Sequence, residues 1–468
     1  MVSVAPPPAS FDIETDIVVV GAGACGLIAG LRALEGGAEV VVLERDARST
    51  GSTAMSSGFI PAAGTRFQRA IGVVETPEEF AADIHKKAAG GADPAVVKTV
   101  TGQIGPALEW LADTHGLEWQ VLDDFLYPGH SRHRMHAVPE KTGAALMARL
   151  LGAAEAAGLT VVTDARGTTL HLTGGGRITG VTLTRPDGAT ESIACRAVIL
   201  ACNGYGGNPK LVAENIPEIA GAPYFGHPGN TGDAVLWGRA LGTAAKDLSA
   251  YQGHGSLAHP HGILITWALM MEGGIQVNTS GQRFSNEHDG YSEQSVAVLA
   301  QPGAVAWCLF DQRLHRVGME FPDFREAIAA GAIHTGGDAG ALAARTGLPA
   351  DALEDTLAQM AAFCAGKAAD PFGRDFTGRP MLSAPLHAVK VTGALFHTQG
   401  GLVIDAWARV LWPDATPLAN LYAGGGAACG VSGSRVEGYL SGNGLLTAVA
   451  LGFVAGAMAA AQSKEHRV

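Results

Sequence analysis

Asp16-Ile17-Val18-Val19-Val20-Gly21-Ala22-Gly23-Ala24-Cys25-Gly26 is the stretch on which the reading of the fold turns. Its unbroken apolar run suits a strand buried on both faces, as in a parallel sheet. A glycine turn follows at once, and the Ala/Leu-rich residues through Leu34 predict a helix. A second apolar run, Val40–Leu43, ends in Glu44, 18 residues after Gly26. Strand, G-x-G-x-x-G turn, helix, strand and acid together form a dinucleotide fingerprint. The glycines permit a tight turn and close approach of a pyrophosphate, the helix N-terminus faces the phosphates, and the carboxylate takes ribose hydroxyls. Gly21, Ala22, Gly23, Gly26, Glu44 and the adjoining Arg45 are therefore candidate cofactor residues. A merely structural glycine turn leaves Glu44 unexplained.

The next segment points to a flavin dinucleotide. Gly51-Ser52-Thr53-Ala54-Met55-Ser56-Ser57-Gly58 is small and hydroxyl-rich. Gly51, Ser52, Thr53, Ser57 and Gly58 would supply donors along an extended pyrophosphate and flavin edge. Val198–Ala201 is another buried strand, running into a loop over Cys202–Asn208. Near the C-terminus lie Asn420–Gly426 and Gly442–Leu446. These distant glycine-rich pieces imply one cofactor site assembled from both ends of the chain, with the middle inserted. No second fingerprint has a strand before it, so a built-in NAD(P)H site is not expected.

Composition narrows the class. A chain of 468 residues is long enough for two or three domains. Glycine supplies 64 residues, roughly twice the ordinary share of about 7%. A net charge of −12 argues against nucleic acid as a partner. Six scattered cysteines without a C-x-x-C pair exclude iron–sulfur, haem-attachment and zinc-ribbon sites and suit the reducing cytoplasm. The leader MVSVAPPPASFDIET lacks the pattern of a signal peptide and reads as disordered. Leu445–Ala461, interrupted by Gly452 and Gly456, is short for a membrane span and predicts a buried helix. The His130–His136 cluster has no carboxylates at helical spacing, so no metal is expected; it reads as a solvated or cofactor-adjacent loop. Residues 341–366 predict two amphipathic helices joined at Leu348-Pro349, with Asp351 as N-cap.

The motifs resemble the FAD-dependent fumarate reductase/succinate dehydrogenase flavoproteins, a family that includes ketosteroid dehydrogenases. The matching stretches are Gly21–Gly26 with Glu44, Gly51–Gly58, Leu200–Asn208, Gly229–Asp233, Gly274–Glu287, Val389–Leu402 and Leu421–Gly456. The resemblance implies a Rossmann-like α/β FAD-binding domain over residues 1–215 and 371–468, with an α+β capping domain inserted at 216–370. It adds Ala201, Asp233, Gly401, Gly426, Asn443, Leu445 and Leu446 as cofactor positions, although many relatives carry Glu or Asn where Gly426 stands. It implies a non-covalent flavin, because covalent relatives carry a histidine in the segment that here reads Ser52, Thr53 and Ala54.

Departures from the family pattern bear on the chemistry. Tyr291 stands where fumarate reductases carry a proton-delivering arginine, and Tyr439 where they carry an arginine that clamps a carboxylate. The proton-relay pair becomes Thr266-Trp267, and the relay arginine becomes Met270. A guanidinium binds a carboxylate bidentately, whereas a phenol donates one neutral hydrogen bond. The two tyrosines resemble those of ketosteroid dehydrogenases. Tyr439 and a backbone N–H near Gly444 would stabilise the enolate oxygen of a ketone, while Tyr291 takes the α-proton. A free phenol, with a pKa of about 10, is a poor base at neutral pH and needs help, for which Tyr127 is the candidate. His397, His254 and Thr266 instead match substrate-contacting positions of fumarate reductases. With Arg435 added, a small keto acid could use both sets. The expected activity is FAD-dependent desaturation of a ketone or keto acid, with O2, a quinone or a soluble carrier as electron acceptor. The alternative is a fumarate-reductase-like enoate reductase.

Overall fold

A computed structural model of the chain describes residues 2–465. The fingerprint strand Ile17–Val20 is fully buried, as its composition requires. It lies inside a six-stranded sheet ordered 409–411, 417–423, 197–200, 17–20, 40–43 and 160–162. All neighbours pair in parallel except the antiparallel edge Arg409–Leu411. Leu421, Val198, Val18, Val41 and Thr160 stand in one register across it. Strands from both chain ends thus share one sheet, and the α/β class holds.

The chain forms two compact units. The first is Met1–Ile216, Gly226–Tyr251 and His397–Val468; the second is Pro217–Phe225 and Gln252–Phe396. These boundaries differ from those expected at 216 and 370. Residues 226–251 join the first unit because Arg45 Nη1 donates to the Gly229 carbonyl at 2.6 Å and Ala245–Lys246 pairs with Gly401–Leu402. Residues 371–396 belong to the second because the strand Leu386–Thr398 runs through its sheet, between Tyr251–Ala258 and Val305–Asp311. The division follows hydrogen bonding, which composition does not display.

Three local expectations change. The leader is not without structure: Ser3–Ala5 and Ile13–Glu14 are the two edge strands of a five-stranded sheet, pairing with Thr169–His171 and with Ile193 and Ala194. Phe11 packs edge-on against His171 and Trp237 Nε1 donates to the Ser3 carbonyl, so side chains outside the segment order it. The helices Ala339–Thr346 and Ala350–Cys364 do form, but the second is capped by Pro349, with Asp351 inside its first turn. The His130–His136 loop is largely buried, not solvated: Arg134 has no exposed side-chain surface and pairs with Glu75 and with Asp83.

The helix Asn443–Glu465 is long and apolar enough to cross a membrane by length and composition, yet 56% of its most apolar window is buried in the protein. It packs on the helix Ala24–Glu35 through the glycines that interrupt its sequence. A Cβ at Gly452 would lie 2.5 Å from the Cys25 carbonyl oxygen, and one at Gly456 would overlap the Ala29 carbonyl. The helix axes approach closely because neither residue has a side chain. Gly456→Val should therefore force the helices apart and cost about 1–3 kcal/mol. Denaturant titration of the holoprotein checks this, and an unchanged midpoint contradicts the packing.

Candidate active site

Most of the predicted cofactor residues form a cradle in the first unit. Gly21 adopts φ +107°, and a Cβ there would sit 2.5 Å from the Ala201 carbonyl oxygen; a Cβ on Gly26 would overlap the Gly21 carbonyl. Only glycine lets helix and strands meet this closely. The helix Ala24–Glu35 starts from Gly23 without a cap from the Gly23 position, which leaves donors beyond Ala24 N for a phosphate. Thr53 Oγ1 accepts from Ala24 N at 3.2 Å and so joins the hydroxyl segment to that helix end. Glu44, almost fully buried, accepts from Ala22 N at 3.1 Å and from Asp46 N at 3.0 Å. Burial pushes its carboxyl above the ordinary range, and the two backbone donors oppose that shift. A dinucleotide ribose would add the hydroxyl donors that a buried carboxylate needs.

The remaining members are spread around this frame. Gly51–Met55 forms a short helix, while Gly58 (φ +73°) turns against Thr142 and Gly143. Ser57 is exposed, and Ser52 Oγ accepts from Asn230 Nδ2 at 2.8 Å. Asp233 does not present a free carboxylate: it pairs with Arg166 at 3.1 Å and accepts from Thr231 Oγ1 at 3.0 Å. Ala201 continues the strand by donating to the Val20 carbonyl at 2.9 Å. Gly401 is buried against Ala427 and Ala428, and Asn443, Gly444, Leu445 and Leu446 open the long C-terminal helix. Asn443 Oδ1 is buried without a hydrogen-bond partner. Such an atom calls for a donor, so the cradle and this acceptor fit a bound FAD.

His397 stands beside that helix start. A Cβ at Gly426 would lie 3.0 Å from His397 Cε1, and one at Gly444 would lie 3.9 Å from Nδ1. These glycines explain why a Glu or Asn is absent at Gly426: Asn203 Oδ1 and His397 fill the space. Gln399 Nε2 donates to His397 Nδ1 at 2.8 Å, Ser432 Oγ to Gln399 Oε1 at 3.1 Å, and Asn443 Nδ2 to Ser432 Oγ at 3.0 Å. Gln399 and Ser432 were not singled out as site residues from the sequence, where they are only polar members of glycine-rich stretches. Tyr439 is buried at the end of the turn Val436–Gly438. Its loop is held by His130 Nε2 on the Ser441 carbonyl at 3.0 Å, with Arg134 Nη1 on His130 Nδ1 at 2.9 Å.

Two expectations fail here. Arg435 is exposed, and its Nε and Nη2 bond to Glu437 at 3.1 and 3.0 Å, so its guanidinium is not offered as a carboxylate clamp. Tyr127 packs against Phe125 and Phe59, and burial raises its phenol well above the ordinary value, the wrong direction for an acid that shares a proton.

In the second unit, Tyr291 opens the helix Tyr291–Leu299 directly after Gly290 (φ 139°). Its ring stacks on His254, with centroids 4.7 Å apart, and His254 stacks on Phe396 at 5.1 Å. Trp267 meets both His254 and Tyr291 edge-on. Ser256 Oγ donates to the Ile265 carbonyl at 2.6 Å, which leaves Ser256 N to donate to His254 Nδ1 at 3.3 Å. Thr266 spends its hydroxyl locally, accepting from Ala268 N at 3.3 Å. Trp267 Nε1 is buried without a partner. The cations of this unit's central segment are bound elsewhere: Arg374 pairs with Glu287 at 2.9 Å, and Arg283 pairs with Glu287 at 2.7 Å and with Asp370 at 2.5 Å.

Burial holds His254 down to about 3 and His397 to about 4, and His130 and His136 are depressed likewise to about 3 and 4. A depressed histidine stays neutral when folded but takes a proton when unfolded below about pH 6.5. Stability from these four is therefore complete above that value and lost progressively toward pH 4. A melting temperature that falls steadily from pH 6.5 to 4.5 is expected, and a flat profile contradicts these burials.

Comparison with known proteins accords with this geometry. Residues 16–445 match the FAD binding domain family. A probable fumarate reductase, Ifc3, of Shewanella frigidimarina is 29% identical over 95% of this chain and 75% of its own. A 4-oxocyclohexanecarboxylate 2-dehydrogenase of Sinomonas cyclohexanicum is 25% identical, covering 96% of both chains. The structure of a 3-ketosteroid-Δ4-(5α)-dehydrogenase from Rhodococcus jostii superposes with a TM-score of 0.78 at 25% identity, covering 98% of this chain and 100% of that one. The chain belongs to the FAD binding domain family and is a FAD-dependent oxidoreductase of the fumarate reductase/ketosteroid dehydrogenase type.

Proposed function

We propose that this enzyme desaturates a neutral carbonyl compound between Cα and Cβ, with a small cyclic or steroid-like ketone as substrate. The observation that carries the reading is the wall Tyr291–His254–Phe396, edged by Trp267, whose one histidine burial keeps neutral at neutral pH. A dicarboxylate needs cations that survive desolvation, whereas flat apolar rings favour a flat apolar substrate. The second unit serves as the substrate domain.

A bound FAD would supply the hydride acceptor. Tyr439 Oη, with a backbone N–H near Gly444, donates to the ketone oxygen and stabilises the enolate charge that develops there. Tyr291 Oη, as the phenolate, would receive the α-proton, so one proton and one hydride leave the substrate and an enone remains. The flavin is held without a covalent link, since Ser52, Thr53 and Ala54 supply no histidine. The external electron acceptor would be O2, a quinone or a soluble carrier. Enoate reduction is the second reading, favoured by His397 and by the likeness to a fumarate reductase. Arg435, bound to Glu437, lends it no support.

Anaerobic bleaching of the visible flavin band tests the direction. Cyclic and steroid ketones should bleach it and succinate should not; bleaching by succinate alone overturns the proposal. Tyr439→Phe should cost about 10²–10³ in kcat and Tyr291→Phe about 10²–10⁴, with ketone binding changed only a few-fold. Acid precipitation should release the yellow cofactor into the supernatant, while a coloured pellet would mean a covalent bond.

A further inference from the structure

We propose that Asn443, Ser432 and Gln399 form a directional hydrogen-bond chain that keeps His397 in its Nε2–H tautomer, making Gln399 a positioning residue that selects a neutral carbonyl over a carboxylate. The selectivity rests on the function proposed above; the tautomer rests on the first unit alone.

Each donor in the chain is consumed by the next acceptor. Asn443 Nδ2 gives to Ser432 Oγ at 3.0 Å, Ser432 Oγ gives to Gln399 Oε1 at 3.1 Å, and Gln399 Nε2 gives to His397 Nδ1 at 2.8 Å. The lone pair of Nδ1 is therefore used, and the single ring proton resides on Nε2. The main chain of Gln399 is fixed, because its backbone N donates to the Ala250 carbonyl and its carbonyl accepts from Gly430 N, each at 2.8 Å. Asn443 and Ser432 are buried, so water does not compete along the chain. Reversing the polarity would turn the two amide hydrogens of Asn443 toward the place where Oδ1 now lies buried and unpartnered. The glycine positions Gly426 and Gly444 flank the ring near Cε1 and Nδ1.

A histidine so held offers one neutral donor. It can bond a ketone oxygen, but it lacks the charge that roughly doubles the strength of a bond to a carboxylate. A methionine or leucine at 399 would leave Nδ1 without its donor, and a glutamate would accept a proton from Nδ1 and stabilise the imidazolium. Gln399 is thus the residue through which the ring's charge could be reset.

The test uses holoenzyme labelled with ¹⁵N-histidine, with the His397 signals identified by their loss in His397→Gln. Long-range ¹H–¹⁵N correlation should show an Nε2–H ring that does not titrate between pH 5 and 8. Gln399→Glu should turn it into an imidazolium in the lower part of that range, and Gln399→Met should broaden it into mixed tautomers. In parallel, perturbation of the visible flavin band reads affinity for cyclohex-2-enone and for cyclohex-1-enecarboxylate. Wild type should favour the enone, and Gln399→Glu should move the ratio about tenfold toward the acid at pH 6. An Nδ1–H or titrating ring in wild type overturns the chain, as does a His397 spectrum untouched by Gln399→Glu. If the ring behaves as expected but wild type prefers the acid, the chain stands and the ketone reading falls. If Gln399→Glu shifts the ring but not the ratio, the selectivity role of Gln399 is overturned.

Discussion

Close backbone contact around the helix Ala24–Glu35 is the constraint on which the first unit depends. At its start, Gly21 and Gly26 bring the turn against Ala201, and along its length Cys25 and Ala29 receive Gly452 and Gly456 of the C-terminal helix. Each contact leaves no room for a methyl group. Together they tie residues more than four hundred positions apart to one another, and they set the uncapped helix end beside Thr53 and Glu44. The position of that helix end is thus a consequence of the packing around it.

The protein spends its buried cations on architecture. Arg134 is consumed by Glu75 and Asp83 and steadies, through His130, the loop that carries Tyr439 and Asn443. Arg283 and Arg374 are consumed by Glu287 and Asp370, where the two guanidinium groups hold the Glu287 carboxyl below its usual range despite its burial. Breaking such a pair strands an uncompensated charge. Among the groups left for chemistry, burial keeps the imidazoles of His254 and His397 neutral.

Read residue by residue, the sequence was most informative where the chemistry is local. The glycine turn, Glu44 and the apolar strands follow from steric and hydrogen-bonding demands within a few residues, and the structure places them accordingly. The expectation that Tyr291, Tyr439 and Met270 stand where fumarate reductases carry arginines, and Trp267 where they carry a glutamate, came from the motifs and not from the packing. Less legible were the edge strands at Ser3–Ala5 and Ile13–Glu14, ordered by partners more than a hundred and fifty residues away.

The sequence by itself determined the α/β class and the FAD-binding fingerprint, because these depend on residue type and short spacing. Only the tertiary structure decided that Arg435 belongs to Glu437, that Asp233 belongs to Arg166, and that Tyr127 sits among aromatic rings. It alone revealed Gln399 and Ser432 as the link between Asn443 and His397. The reason is physical: a side chain's partner is set by which distant backbone segments the glycine contacts bring together, and one-dimensional spacing carries no record of that.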